Sequence, residues 1–289
     1  MLPEWLTVKP VSTSRYAGIK RDVLENGLHT VCAEARCPNI AECWSGGTAT
    51  FMVLGDLCTR GCRFCAVGKS AKGSRIDLLE PERLGKVVRQ WGLNYAVITS
   101  VCRDDLPDQG AGHFARCVTE IRKASPNTLV ELLIPDFRCD ENCLKAITES
   151  SPDVVGHNVE TVRRLTPMVR DRRAGYDQSL RVLAMLKALD AQIYTKSAIM
   201  LGLGEEDSEV IQTMADLRGA GVDFLAVGQY LRPGPNHVEV KEYIRPERFE
   251  FFRRRAQEMG FRCVAAGPFV RSSYRAGEFF MRSIERDRQ

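Results

Sequence analysis

Eleven cysteines stand in this chain of 289 residues, and six of them fall between Cys32 and Cys65. The tightest group is Cys58-Thr-Arg-Gly-Cys62-Arg-Phe-Cys65, a C-x3-C-x2-C run. Three thiolates on one short loop can hold one corner of a 4Fe-4S cube and leave the fourth iron without a protein ligand, whereas an electron-transfer ferredoxin supplies four cysteines. An open iron is a place for a substrate or cofactor. Zinc would want a fourth Cys or His at finger-like spacing, and His29 and His113 are each at least 29 residues from the nearest cysteine of the run. A second set, Cys32, Cys37 and Cys43, has C-x4-C-x5-C spacing in a polar, turn-like segment. Such a segment suits buried structural thiols poorly and a second iron-sulfur cluster, with one ligand from elsewhere, well. An odd cysteine count in a chain too long to need staples fits a metal framework in a reducing compartment better than disulfides. Cys139 and Cys143 lack a third partner and, with Cys117 and Cys263, read as ordinary core or surface thiols.

Six apolar runs, each followed by an amphipathic stretch, must position these groups. They begin with TATFMVL and PERLGKVVRQW and end with FLAVG and PERFEFFRRRAQEM. Six strand-then-helix units with buried-type strands imply a parallel sheet with right-handed crossovers. The fold class expected is α/β, a partial (β/α)6 barrel of the triosephosphate-isomerase type, with an open doubly wound sheet as the alternative. In such barrels chemistry sits at the C-terminal strand ends. The unusual polar stretches lie there: CTRGCRFC, SVCRDD, IPDF and HNVET after the first to fourth strands in turn, Lys196 within or just after the fifth, and GQYLRP after the sixth.

The spacing of Cys58, Cys62 and Cys65, with the aromatic Phe64 before the last cysteine, resembles the radical S-adenosylmethionine superfamily. That resemblance implies a reduced 4Fe-4S cluster whose open iron takes the methionyl group of S-adenosylmethionine and whose electron yields a 5'-deoxyadenosyl radical. Two tri-cysteine sets in this order, with CPNIAECW in the first and GTATFMVLGDLCTRGCRFC carrying the second, are similar to the lipoyl synthase family. The similarity runs along almost the whole chain: RDDLPD (Arg103–Asp108), HNVET (His157–Thr161), TKS (Thr195–Ser197), MLGLGE (Met200–Glu205), GQYLRP (Gly228–Pro233) and RSSY (Arg271–Tyr274).

The resemblance implies sulfur insertion at C6 and C8 of an octanoyl chain held as a lysine amide. Those carbons are unactivated, so a radical supplied by a cofactor is required. It implies two 4Fe-4S clusters. One is on Cys58, Cys62 and Cys65; the other, the sulfur source, is on Cys32, Cys37, Cys43 and a serine of the RSSY motif, for which Ser273 is preferred over Ser272. Serine oxygen is a harder ligand than thiolate, which would make one iron easy to release. Phe64, Ser100, Asn158, Glu160, Lys196 and Gln229 are the expected S-adenosylmethionine contacts, each with the alternative of a loop-shaping hydrogen bond. The implied organisation is an N-terminal extension (1–48), a partial barrel (49–262) and a C-terminal extension (263–289), the two extensions capping the barrel mouth. The implied partners are an octanoylated lipoyl carrier domain or glycine-cleavage H protein, a reductant such as ferredoxin or flavodoxin, and an iron-sulfur cluster carrier. A rival is another two-cluster radical enzyme, and a rival of a different class is an iron-sulfur electron-transfer or carrier protein.

The composition agrees with a globular enzyme. Hydrophobic residues make up 44%, excluding a disordered chain, and the net charge of 41 − 37 = +4 is too small for a protein held to nucleic acid by phosphate contacts. No apolar run reaches the ~18 residues of a membrane span, and the first ten residues lack a signal-peptide pattern. A cytoplasmic monomer is expected. The chain departs from the family pattern at Cys102, where an acid or small polar residue is usual, and at Gln109. Two arginine groups, Arg163, Arg164, Arg170, Arg172 and Arg173, and then Arg253 to Arg255, read as solvated faces, the first also as a dock for an acidic carrier. Phe251 and Phe252 are expected on the buried face of the last helix.

Overall fold

Each apolar run forms a strand, and each amphipathic stretch forms the helix after it, in the computed structural model, which describes residues 3–7, 14–34, 37, 39–45, 49–274 and 277. The pairs are β1 (Thr50–Val53) with α1 (Glu80–Gln90), β2 (Tyr95–Ser100) with α2 (Ala111–Ala124) and β3 (Leu129–Leu133) with α3 (Glu141–Glu149). They continue as β4 (Val154–Gly156) with α4 (Tyr176–Leu189), β5 (Tyr194–Leu201) with α5 (Asp207–Gly219) and β6 (Phe224–Gln229) with α6 (Pro246–Glu258). A seventh strand, β7 (Cys263–Gly267), lies in the stretch assigned above to the C-terminal extension. Among the described residues no helix is long and apolar enough to cross a membrane.

The chain divides into two compact units. The first, Lys9–Gly61 with Ala66–Val155, holds β1 to β3, where β1 pairs parallel with β2 and β2 with β3. A two-residue strand, His29–Thr30, pairs antiparallel with β1 and brings in the segment of Cys32, Cys37 and Cys43. Val87, Val88, Phe114, Val118, Ile121 and Leu132 are fully buried in this unit. The turn after β1 is pinned from the side. Glu80 and His113, both buried, meet at 2.7 Å, and the same Glu80 oxygen accepts the Leu54 amide at 3.0 Å. Leu54 and Gly55 take φ of 69° and 87°, so the chain reverses sharply into the cysteine loop.

The second unit, Met1–Val8, Cys62–Cys65 and Gly156–Gln289, pairs β5 with β6 and β6 with β7, again in parallel. Ile199, Leu201, Leu225, Val227 and Val264 point one way, into a core with Val210, Met214, Phe249 and Phe252. By strand alternation the other face carries three rows in register: Lys196, Phe224 and Cys263; then Ala198, Ala226 and Ala265; then Met200, Gly228 and Gly267. Val270 and Tyr274 pack on the alanine row, which anchors the RSSY segment against the strands. Glycine is required at 228, because a Cβ there would lie 2.1 Å from the Val270 carbonyl oxygen. One expectation fails in α6. Phe252 is buried but Phe251 is 41% exposed, since neighbours on a helix diverge by about 100° and the buried face is Phe249, Phe252 and Ala256.

Candidate cluster and cofactor site

Cys58 ends a two-residue strand, Leu57–Cys58, that pairs in parallel with Gly68–Lys69, and the Cys58 carbonyl accepts the Ser70 amide at 3.0 Å. The Cys58 sulfur receives two main-chain N–H groups, from Arg60 and Cys102, each at 3.4 Å. The Cys102 thiol donates to it as well. That hydrogen bond, followed by burial in the opposite sense and then by the two amides and the Arg60 charge, leaves the Cys58 thiol well below its ordinary value. Cys102 is pushed well above its own value by the same contact and by burial. Cys102, met above only as a departure from the family pattern, is thus a neighbour of an expected cluster ligand.

Arg60 is the side chain that fixes this loop, and the sequence reading passed over it. Its guanidinium donates to Asp104 through Nε and Nη2, both at 2.9 Å, and to Asp136 through Nη1 at 2.5 Å and Nη2 at 2.8 Å. All three side chains are 5% exposed or less. Asp104 follows β2 and Asp136 follows β3, so one buried cation ties the cysteine loop to two strand ends. Burial works against ionisation of Asp104, but the Arg60 hydrogen bonds and charge, with Thr59, outweigh it and hold the carboxyl down to about 2. The available signal was an arginine between two cysteines, facing the acids of RDD and IPDF.

Within the second unit, Cys62 accepts the Asp171 amide at 3.3 Å on its sulfur. Arg63 is clasped between two segments: its amide donates to Val169 at 2.8 Å and its carbonyl accepts from Val238 at 3.0 Å. His237 Nε2 hydrogen-bonds the Cys65 carbonyl at 3.1 Å, and Phe64 packs on the core cluster. The residues around Val169–Asp171 and His237 also escaped the sequence reading, because nothing local marks a loop that will fold back on a motif over a hundred residues away.

The other expected residues divide. Ser272 Oγ donates to Asn158 Oδ1 at 3.2 Å, and Asn158 Nδ2 donates to Glu160 Oε1 at 3.2 Å, so RSSY and HNVET come together. Glu160 takes the left-handed φ of 68° and bridges to β5, its amide on Ala198 and its carbonyl on Met200. Burial raises its carboxyl, against Arg170 and Asn158. Lys196 is buried in the lowest of the three rows, in the N-terminal half of β5. Ser100 turns onto the adjacent Val101 carbonyl at 2.9 Å. Gln229 has the hydrogen bonds of the loop-shaping alternative: its amide nitrogen donates to the carbonyls of Leu201, Tyr230 and Glu242, and its oxygen accepts the Ile244 amide.

In the N-terminal set the Cys37 amide donates to the Cys32 carbonyl at 3.0 Å, and Cys43 lies on the short helix Ile40–Ser45. Burial, with the neighbouring Cys37 charge, raises the Cys32 thiol against hydrogen bonds from Thr50 and Trp44. Such a thiol gives up its proton when a metal takes its place. The arginine groups are largely neutralised from within. Arg163 pairs with Asp177, Arg164 with Glu209, Arg173 with Asp171, Arg253 and Arg254 with Glu250, and Arg255 with Glu258. In the first group Arg172 is exposed and Arg170 is buried.

Parallel strand-helix units with a three-cysteine loop behind the first strand define a class, and the model of the Radical SAM superfamily matches residues 52–217. The chain belongs to that superfamily. The FeFe-hydrogenase maturase HydG from Carboxydothermus hydrogenoformans aligns over 84% of this chain and 63% of its own, at a TM-score of 0.57 and 12% identity, and so shares the fold, in keeping with the α/β partial barrel read from the sequence. Two closer relatives narrow the assignment. The lipoyl synthase of Myxococcus xanthus (strain DK1622) is 53% identical over 99% of this chain and 96% of its own length. The apicoplast lipoyl synthase of Toxoplasma gondii is 51% identical over 98% of this chain, which spans about half, 53%, of that relative. The chain belongs to the lipoyl synthase family.

Proposed function

We propose that this chain is a sulfur-inserting radical enzyme that converts a protein-bound octanoyl group into a lipoyl group. The observation that carries the reading is the set of main-chain N–H groups aimed at cysteine sulfur: Arg60 and Cys102 onto Cys58, Asp171 onto Cys62. Amide donors stabilise thiolates and tune an iron-sulfur cluster's potential, and a loop that keeps thiols protonated has no use for them. The donors on Cys58 and Cys62 support a cluster on Cys58, Cys62 and Cys65, with S-adenosylmethionine on the iron they leave open. Cys32, Cys37 and Cys43 would hold a second 4Fe-4S cluster, with Ser273 as fourth ligand. When bound, the first cluster with S-adenosylmethionine supplies hydrogen abstraction at C6 and C8, and the second supplies sulfur.

The chain's own residues do the holding. Arg60, Asp104 and Asp136 keep the loop of Cys58 in place without help from the metal. Ser272 is engaged with Asn158, which gives it the task of fixing the motif beside Ser273, the proposed ligand. Asn158 and Glu160, just after β4, remain proposed cofactor contacts, as do Phe64 and Lys196. The substrate would be an octanoylated carrier domain or H protein, with a ferredoxin or flavodoxin as electron donor and a cluster carrier to restore the second cluster.

Anaerobic reconstitution with iron and sulfide, followed by dithionite, S-adenosylmethionine and an octanoyl-lysyl peptide, tests the reading by mass spectrometry. About eight irons per chain, 5'-deoxyadenosine and a peptide carrying two added sulfurs are expected. About four irons would overturn the two-cluster reading, and cofactor cleavage without a thiolated peptide would overturn the substrate.

A further inference from the structure

We infer that the segment Gly68 to Leu79 is the docking surface for the protein domain that carries the octanoyl-lysine, and that this domain presents an acidic face to it. The inference rests on the function proposed above and names the surface that reading leaves open.

Three cations, Lys69, Lys72 and Arg75, stand exposed within seven residues, and no ion pair joins any of them to a described residue. The one acid among them, Asp77, is already paired with Arg83 at 2.6 Å. This contrasts with both arginine groups, whose charges are largely met internally. Directly after the cations come Leu78 and Leu79, 65% and 61% exposed, an adjacent apolar pair that nothing among the described residues covers. Paired apolar side chains rimmed by charge mark an interaction site, where scattered single ones would not.

Position connects this surface to the chemistry. Lys69 is the register partner of Cys58, so the first cation sits one strand away from a proposed cluster ligand. A partner that delivers an acyl chain must dock within an arm's length of that cluster, and this run of unpaired cations begins in register with Cys58. The surface is also held in place. The Gly73 amide donates to Asp105 at 3.3 Å, Ser74 Oγ to Asp56 at 3.0 Å, and Arg116 to the Leu78 carbonyl at 2.6 Å. A segment already ordered has little entropy to lose when a partner arrives. Unpaired cations act on encounter, so an acidic partner gains association rate.

The test compares Lys69→Glu/Lys72→Glu/Arg75→Glu with the wild type on two substrates under dithionite: an octanoylated carrier domain and a short, uncharged octanoyl-lysyl peptide. Expected is a fall in kcat/KM on the carrier of about tenfold at low ionic strength, shrinking as salt is added, with iron content and peptide turnover unchanged. Equal turnover of the carrier by both proteins, or a parallel loss on carrier and peptide, would overturn the inference. So would a loss seen only when a flavodoxin replaces dithionite, which would assign the patch to the electron donor. Leu78→Ser/Leu79→Ser, which keeps every charge, guards against a folding defect in the first variant. It should raise KM for the carrier several-fold and leave the peptide alone, and an unchanged KM counts against the proposal. If the wild type thiolates neither substrate, the function fails, and direct binding of the carrier to wild type and charge variant decides the docking surface separately.

Discussion

Replacing Arg60 by alanine removes the buried guanidinium that bonds Asp104 and Asp136 together, and the structure sets the size of the effect. Four charge-assisted hydrogen bonds disappear, and two carboxylates with 5% and 1% exposure lose their shared cation. Asp104 keeps the exposed Arg138 and the Thr59 hydroxyl, while Asp136 keeps the Arg138 amide, so the penalty is not the full sum of the bonds. Removing one partner of a buried ion pair costs ~3–5 kcal/mol, a large part of the ~5–15 kcal/mol that holds a domain folded. Arg60→Ala should lose about that much in urea denaturation of the anaerobic apo-protein at neutral pH. Arg60→Lys, with one compact donor in place of a planar fork, should recover only part.

The pH dependence separates an electrostatic loss from a packing loss. Asp104 has a folded pKa depressed to about 2, so its contribution is full above the ordinary carboxylate value and is lost as pH falls through about 2. The gap between wild type and Arg60→Ala should therefore be widest near neutrality and close as the acid is protonated. Arg60→Met/Asp104→Asn/Asp136→Asn, which removes the charges together, should regain most of the stability, since the cost lies in charges left alone. A loss below about 1 kcal/mol, or a gap that does not change with pH, would refute the account of the loop's anchoring.

Gly228→Ala should cost ~1–3 kcal/mol and release the RSSY segment, because its Cβ meets the Val270 carbonyl; limited proteolysis near residue 270 would report it. Glu80→Ala should cost ~1–3 kcal/mol by stranding the Leu54 amide and buried His113, read as a lower urea midpoint. Cys102→Ala should move alkylation of Cys58 in apo-protein to higher pH, since the donor that lowers the Cys58 thiol is gone; an unmoved profile would exclude that hydrogen bond. Ser273→Cys should keep the iron and lose the thiolated product, whereas Ser272→Ala should keep both ligands and lower the yield of the reconstituted second cluster.

The six strand-helix units were legible because apolar periodicity is local: ENCLKAITE is the helix Glu141–Glu149 residue for residue. β7 was not, since Cys-Val-Ala-Ala-Gly is a run of small residues with no strong strand signal, and it becomes a strand only by lying in register on β6. The cysteine spacing suggests a cluster because ligand spacing is set within the loop itself, while among the described residues no three possible ligands are gathered as they would be around a metal. What the spacing could not show is who holds the loop. Arg60 gains its meaning from acids 44 and 76 residues away, and His237 from a carbonyl 172 residues away. Gln229 left two readings open for the same reason: an amide at a strand end suits a ligand or a loop, and the returning Glu242–Ile244 segment that bonds it lies over ten residues away.

The amides that face the cysteine sulfurs come from separate segments: Arg60 from the loop itself, Cys102 from the end of β2, Asp171 from the turn before α4. A hydrogen bond to a ligating sulfur favours the more reduced, more negative cluster. The potential of a cluster on this loop is then set by the conformation of three backbone stretches as well as by its ligands. Backbone donors cannot be removed by changing a side chain, only by moving the chain. The buried triad of Arg60, Asp104 and Asp136, whose acids lie just after β2 and β3, is what keeps one of those stretches from moving. A variant that loosens the triad without touching a cysteine should therefore shift the cluster's potential, while a charge change on the exposed Lys69, Lys72 and Arg75 should leave the sulfur contacts as they are.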